Sequence, residues 1–500
     1  MKPHSLIAHM GRCFLLTGLI VSSALCAAEA PPNQTITYPA PEGGALNTDF
    51  TVKVRTPTHD WQEVAAYLVK VDAVIGTKHT PLNSSMAYFD FTGIVDVSIT
   101  FNRGNIQSAR VRPLSFGIAP KVNGNTITFS LSEPRNLSVE LNGDIFHNLQ
   151  LFANPIETNR PASTDPNVIY FGPGIHQLDG GMLNVPSGKT MYIAGGAVVR
   201  GQLVCNNVHD VHILGRGMLY ESPRGGVRIV NSTNVVVSGI IVVPSGNTVL
   251  VGQSQNITLE SIKSISCGGN YDGIDIFCSS NVVIEGVFMR NSDDCIAIYG
   301  HRRNFYGNVQ NITVRNSTLW ADVAHPILVG THGDTPNPDT LEDLRFSNLD
   351  ILDHMEPQID YQGCMSLNAG DGNLIRNVRF ENIRVENFRQ GQLVNLRVFY
   401  NRKYNTSPGR GIENVYFKNI TYNGSQAENS VIAGYDDTRN VKNVVFENLV
   451  INGTLISDQM TKPGWYKTSD MARFFVGEHV EGLVFRKSTN NVAQKLNSTN

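Results

Sequence analysis

An all-β fold, a right-handed parallel β-helix preceded by an antiparallel β-sandwich, is what this 500-residue sequence predicts. Three observations carry the expectation. Apolar residues recur with a period of two and are dominated by β-branched and aromatic types, the pattern of strands and not of helices. Before about residue 160, short alternating runs are separated by Gly/Asn turns, as in antiparallel sandwiches. Beyond it, a unit led by Asn or Asp recurs at a nearly regular step, as in a solenoid whose coils bury their apolar faces only against each other.

The N-terminus comes first in chain order. Lys2 and Arg12 precede an apolar run from Cys13 to Ala28, and Ala28-Glu29-Ala30 supplies a small-x-small cleavage site. Residues 1–30 therefore predict a signal peptide and a secreted or periplasmic protein. Ser23-Ala24-Leu25-Cys26 partly matches a lipoprotein box, but Leu25 is bulky for the residue before a lipidated Cys, so a surface lipoprotein is the lesser alternative. No later apolar stretch is long enough to span a bilayer. A net charge of −3 and 17% charged residues indicate neither a nucleic-acid footprint nor a polybasic membrane surface. Cys205, Cys267, Cys278, Cys295 and Cys364 lack paired zinc spacing, which makes them small core residues with at most a bridge or two.

The sandwich is assigned to residues 31–160. Its strands are read at Phe50–Arg55, Ala66–Val71, Tyr88–Phe91, Val95–Phe101, Val111–Leu114, Thr126–Leu131 and Leu137–Leu141. Asn123-Gly124-Asn125 and Asn142-Gly143-Asp144 supply turns between some of them. The β-helix is assigned to residues 161–490. Its repeat is anchored at Asp210, Asn234, Asn256, Asn281, Asn311 and Asp343, with the last two steps longer than the first three, and continues at Asn377, Asn414 and Asn443. These Asn residues are expected to form hydrogen-bonding ladders in turns, and the longer steps to be loops walling a groove.

The repeat also aligns acids. Matching Ile274/Ile276 to Ile296/Ile298 is a shift of 22, and matching that pair to Ile327/Val329 is a shift of 31. The same shifts carry Asp272 onto Asp294 and Asp294 onto His325, which predicts a column at the ~4.8 Å spacing of neighbouring strands, with Asp293 aimed differently. Carboxylates on adjacent coils cannot all ionise easily, so at least one should keep a proton near neutrality. A protonated carboxyl beside an ionised one is what glycosidic hydrolysis requires. Inverting enzymes hold the pair ~6.5–9.5 Å apart, a separation available across or between coils.

Asn270-Tyr271-Asp272-Gly273 and Asn291-Ser292-Asp293-Asp294-Cys295 resemble the Asn-Thr-Asp and Asp-Asp motifs of glycoside hydrolase family 28, the polygalacturonases, at a similar spacing. Ala324-His325-Pro326 resembles that family's Gly-His-Gly motif. Over about residues 165 to 455, the resemblance implies Asp293 as general acid, Asp272 and Asp294 as the residues that activate water, and His325 as support for the acid. The family's Arg-Ile-Lys has no basic counterpart near Gly363–Leu367, so recognition of a uronate would fall to Arg302, Arg303 or Arg397. The front domain, through Val111–Leu114, Glu133–Glu140 and Leu149–Pro155, resembles family 49, the dextranases and isopullulanases, which also pair a β-helix with three Asp and act on neutral glucans.

The catalytic set is thus Asp272, Asp293, Asp294 and His325. Asn270, Tyr271, Asp275, His301, Arg302, His332 and Arg397 are the expected substrate contacts, with Tyr299, Tyr361 and Tyr400 as further sugar platforms. The expected activity is secreted, inverting hydrolysis of a polysaccharide or oligosaccharide, with no cofactor and no metal. A polysaccharide lyase or a non-catalytic glycan-binding solenoid are the alternatives.

Overall fold

The computed structural model describes residues 33–75 and 78–488, so the candidate signal peptide, Cys13 and Cys26 lie outside the described residues. The front domain is two facing sheets. One orders Gln34–Thr37, Pro81–Thr92, Asp144–Pro155, Arg135–Leu141 and Ala109–Arg112, with Ala66–Asp72 added to Pro81–Thr92. The other orders Gln62–Val64, Phe50–Arg55, Val95–Phe101, Thr126–Leu131 and Lys121–Asn123. All seven expected strands are present, four more join them, and the pairing of Asp144–Pro155 with Pro81–Thr92 is parallel within an otherwise antiparallel domain.

From Val168 onward the chain winds as a right-handed parallel β-helix with three strand faces per coil. Its interior is a continuous aliphatic column ending in a stack of Phe346, Phe380, Phe417, Phe446 and Phe485, with centroids 4.7, 4.8, 4.5 and 5.1 Å apart. The anchoring Asn residues adopt left-handed φ near 55°, a conformation Asn tolerates in tight turns. Their amides hydrogen-bond along the helix, Asn234 to Asp210 at 2.9 Å, Asn256 to Asn234 at 3.1 Å, Asn281 to Asn256 at 3.0 Å and Asn311 to Asn281 at 2.8 Å. All five cysteines described are free thiols.

The sandwich packs on one face of the β-helix through Tyr67, Val69, Met86 and Tyr88, which meet Met218, Ile241, Phe288 and Trp320. At the centre of this contact the Trp320 ring lies between the Arg290 guanidinium, 4.0 Å from its centroid, and that of Arg112, 5.0 Å away. Arg290 is buried and forks onto Asp322 at 3.0 and 3.1 Å while donating to Asn148 and to the carbonyl of Ile145, both at 2.9 Å. Buried guanidinium and carboxylate are tolerated because every guanidinium nitrogen donates and both carboxylate oxygens accept. Arg290 and Asp322 each stand three residues before a candidate catalytic residue, Asp293 and His325, so this contact fixes the corner on which the acids sit.

Candidate active site

The acids occupy the corner where each coil turns from the face covered by the sandwich into the next strand. Strand registers place Ile274 opposite Ile296 and Ile296 opposite Ile327, which brings Asn247, Asp272, Asp294 and His325 into one column. Backbone hydrogen bonds tie the column together: Thr248 N to Asp272 O at 2.9 Å, Gly273 N to Asp294 O at 2.8 Å and Cys295 N to His325 O at 2.8 Å. Gly273 is needed here, because a Cβ would lie 2.2 Å from the carbonyl oxygen of Cys295 on the next coil. Asn291 is buried and donates to Ser266 Oγ at 2.8 Å and Ser264 Oγ at 3.0 Å, stapling the Asp293 corner to the Asp272 corner.

One carboxylate oxygen from each of Asp272, Asp293 and Asp294 lies within 4.8 Å of the others. This is closer than the ~6.5–9.5 Å expected of an inverting pair. The difference follows from geometry: successive coils are one strand spacing apart, and Asp293 and Asp294 are chain neighbours. Burial, reinforced by Asp275, Asp293 and Asp294, pushes the Asp272 carboxyl well above its ordinary value. Burial and the charge of Asp294 raise Asp293 to about 8, and the same two causes raise Asp275 to about 7. The cluster therefore holds protons at neutral pH.

Asp294 is the most constrained of the three. Its Oδ1 accepts from His325 Nδ1 at 2.7 Å and from the His325 backbone N–H at 3.1 Å, and its Oδ2 accepts from Tyr299 at 3.2 Å. Burial alone would lower His325, but the charge and hydrogen bond of Asp294 outweigh it and lift the imidazole to about 9. The resemblance predicts that His325 supports the acid Asp293. Its hydrogen bond instead goes to Asp294, because the coil register stacks those two residues directly.

The cluster opens into a groove of about 680 Å³. Of the expected contacts, Asn270, Asp275, Arg302 and His332 line it, and so do Arg303, Tyr299 and Tyr361. Asp275 accepts from the Asn247 amide through one oxygen and leaves the other buried without a partner. Burial and the neighbouring Arg302 lower His332 to about 4, so it is a neutral ring at pH 7. Tyr271, His301, Arg397 and Tyr400 do not line the groove. The Tyr271 ring covers Gly268, the His301 ring lies against Tyr306 with centroids 4.2 Å apart and planes tilted by 45°, and Arg397 stands opposite Asn368, two coils beyond the His325 coil, with its guanidinium 3.7 Å from Asp360.

Several residues in or beneath the groove escaped the sequence reading: Asn247 lies in the column and donates to Asp275, and His79, Lys403 and Tyr404 line the groove. Asn247 would have been found by extending the column one coil backward, by the step that carries Val249 onto Ile274. His79 arrives from the sandwich, held by Asp72 at 2.6 Å, and has no local signal. Lys403 and Tyr404 come from a long interval after the strand Val394–Val398.

The sequence pattern described as Glycosyl hydrolases family 28 matches residues 205–466, more than half of the chain. The chain belongs to glycosyl hydrolase family 28. It is 29% identical over 228 residues to Exopolygalacturonase A of Aspergillus niger, covering 43% of this chain and 46% of that protein. To Endopolygalacturonase B of Aspergillus niger it is 25% identical over 170 residues, 33% of this chain and 42% of the relative. This family 28 member thus aligns with less than half the length of these two relatives. In fold it is similar to Dex49A from Penicillium minioluteum, with a TM-score of 0.59 and 14% identity over 92% of this chain and 97% of that one. The resemblance to family 28 read from the sequence is present in the family match, and the likeness to Dex49A is one of fold over nearly the whole chain.

Proposed function

We propose that this family 28 member is a glycoside hydrolase that cleaves an acidic polysaccharide with inversion, using Asp293 as general acid and a water held between Asp272 and Asp294 as nucleophile. The observation that carries the reading is the three-carboxylate cluster with its held protons. Asp293 keeps a proton to about pH 8 and can pass it to the glycosidic oxygen as the C–O bond breaks. A span of up to 4.8 Å between carboxylate oxygens suits one water bridging them with two hydrogen bonds of ~2.7 Å. That water, positioned by Asp272, attacks the anomeric carbon and loses its proton to Asp294 Oδ2, which accepts only the Tyr299 hydroxyl and has a lone pair left, while the leaving oxygen takes the proton of Asp293.

Retention through a glycosyl-enzyme is the second reading, since the close spacing approaches the ~5–5.5 Å of retaining enzymes. It is disfavoured by the state of the candidate nucleophiles. Asp294 has both oxygens engaged by His325 and Tyr299, and Asp272 is pushed toward its protonated, non-nucleophilic form.

Charge in the groove favours an acidic substrate. Arg302, Arg303 and Lys403 line it, and among the described residues none has a carboxylate within 4.0 Å. Substrate carboxylates can pair with these cations, in place of the basic motif missing near Gly363–Leu367. The resemblance to polygalacturonases points the same way. Export through residues 1–30 belongs to the same reading. N-terminal sequencing of the mature protein should begin near Ala27–Pro31. Reducing-end release from polygalacturonate should be lost in Asp293→Asn with the fold intact; substantial residual turnover would remove Asp293 from the acid role.

A further inference from the structure

We infer that the groove is blind at one end, closed by residues 401–407, and that the enzyme attacks its polymer from a chain end, with Tyr404 as the residue that sets this mode. The inference rests on the hydrolytic reading above. After the strand Val394–Val398 the chain leaves the β-helix and folds back toward earlier coils. Asn405 is buried and its amide donates to the carbonyl of Thr331, next to the groove residue His332. Asp371, also buried, accepts from Thr406 N at 2.5 Å, Thr406 Oγ1 at 2.9 Å and Ser407 N at 3.3 Å. A segment held through a buried carboxylate by several hydrogen bonds is a fixed wall and not a loose loop.

The Tyr404 ring stacks on Tyr361, with centroids 4.8 Å apart and planes 24° from parallel, and its hydroxyl donates to Gln358 at 2.9 Å. The Lys403 ammonium donates to the same Gln358 oxygen at 2.7 Å. Tyr361 is itself joined to the acids, because its carbonyl accepts from His325 Nε2 and His325 Nδ1 holds Asp294. From Asp294 to the wall there are only an imidazole and a tyrosine. A polymer threading the groove from both sides would have to displace the Tyr361–Tyr404 pair, whereas a chain terminus can abut it. Stacked rings also offer an apolar face to a terminal sugar, and Lys403 beside them offers a cation to its acid group.

The test uses Asp293→Asn and fluorescent oligogalacturonides, either with a free terminus or bulkily capped at both ends. Free-ended chains should bind at least about tenfold tighter than capped ones, and Tyr404→Ala or Asn405→Ala should narrow that gap. In the active enzyme, polygalacturonate viscosity should fall slowly relative to reducing ends released, and faster per bond cut in Tyr404→Ala. Equal binding of capped and free-ended chains, or rapid viscosity loss with few bonds cut by the unaltered enzyme, would overturn the blind groove. End-dependent binding without polymer hydrolysis would instead sink the hydrolytic reading and leave the blind groove standing.

Discussion

Replacing Asp293 by Asn should make the protein more stable as it makes it inactive, and the gain should depend on pH. Folding moves this carboxyl from 3.8 to about 8. A group raised in the folded state stabilises it fully only below the unfolded value, and that contribution is lost as pH rises through the folded value. Asn mimics the neutral acid at every pH. Its Oδ1 can still accept the Asp294 N–H that Asp293 holds at 3.0 Å. The stabilisation should therefore grow by roughly 1.4 kcal/mol per pH unit between about 4 and 8, with a ceiling of ~6 kcal/mol and a realised gain of a few kcal/mol as solvent in the groove screens the cluster. Thermal unfolding of both proteins at pH 4 and pH 8 reads this directly. A melting temperature raised at pH 8 and nearly unchanged at pH 4 is expected. An equal shift at both pH values, or destabilisation at pH 8, would refute the crowding of charge on which the site rests.

Three further outcomes follow from the same geometry. Arg290→Ala should cost ~3–5 kcal/mol in unfolding experiments, because it strands the buried Asp322 and removes the cover of Trp320; a loss under about 1 kcal/mol would deny that this cluster joins the sandwich to the β-helix. His325→Ala should lower kcat by roughly 10²-fold with little change in KM, since it frees Asp294 without touching the groove, and a pure KM effect in steady-state kinetics would contradict that positioning role. Exhaustive dialysis against a chelator should leave the hydrolytic rate unchanged, although the three carboxylates could hold a cation; activity restored only by calcium, with an ultraviolet-absorbing unsaturated product, would establish a lyase.

The column of Asp272, Asp294 and His325 was legible because strand periodicity is rigid. A shift along the chain that superposes Ile on Ile also superposes the residues before them. The asparagine ladder was legible for a similar reason, since a turn that repeats demands the same left-handed residue each time. What could not be read arises where elements distant in the chain converge. His79 reaches the groove from the sandwich, and Tyr404 meets Tyr361 from a loop with no repeat to place it. His325 stands in the column that the register sets, and its hydrogen bond goes to Asp294, because sequence spacing fixes the coil but not which oxygen an imidazole will meet. Arg397 fell outside the groove because its alternation points the side chain toward Asp360, beyond the coils that carry the acids.

The measurement closest to the central claim is the anomeric configuration of the first product, followed by proton NMR before mutarotation. Water bridging Asp272 and Asp294, with Asp293 as acid, predicts that the newly released reducing end carries the configuration opposite to the bond that was cut. Early product with the original configuration would mean that a carboxylate of the 4.8 Å cluster attacks the sugar itself, and would contradict the account.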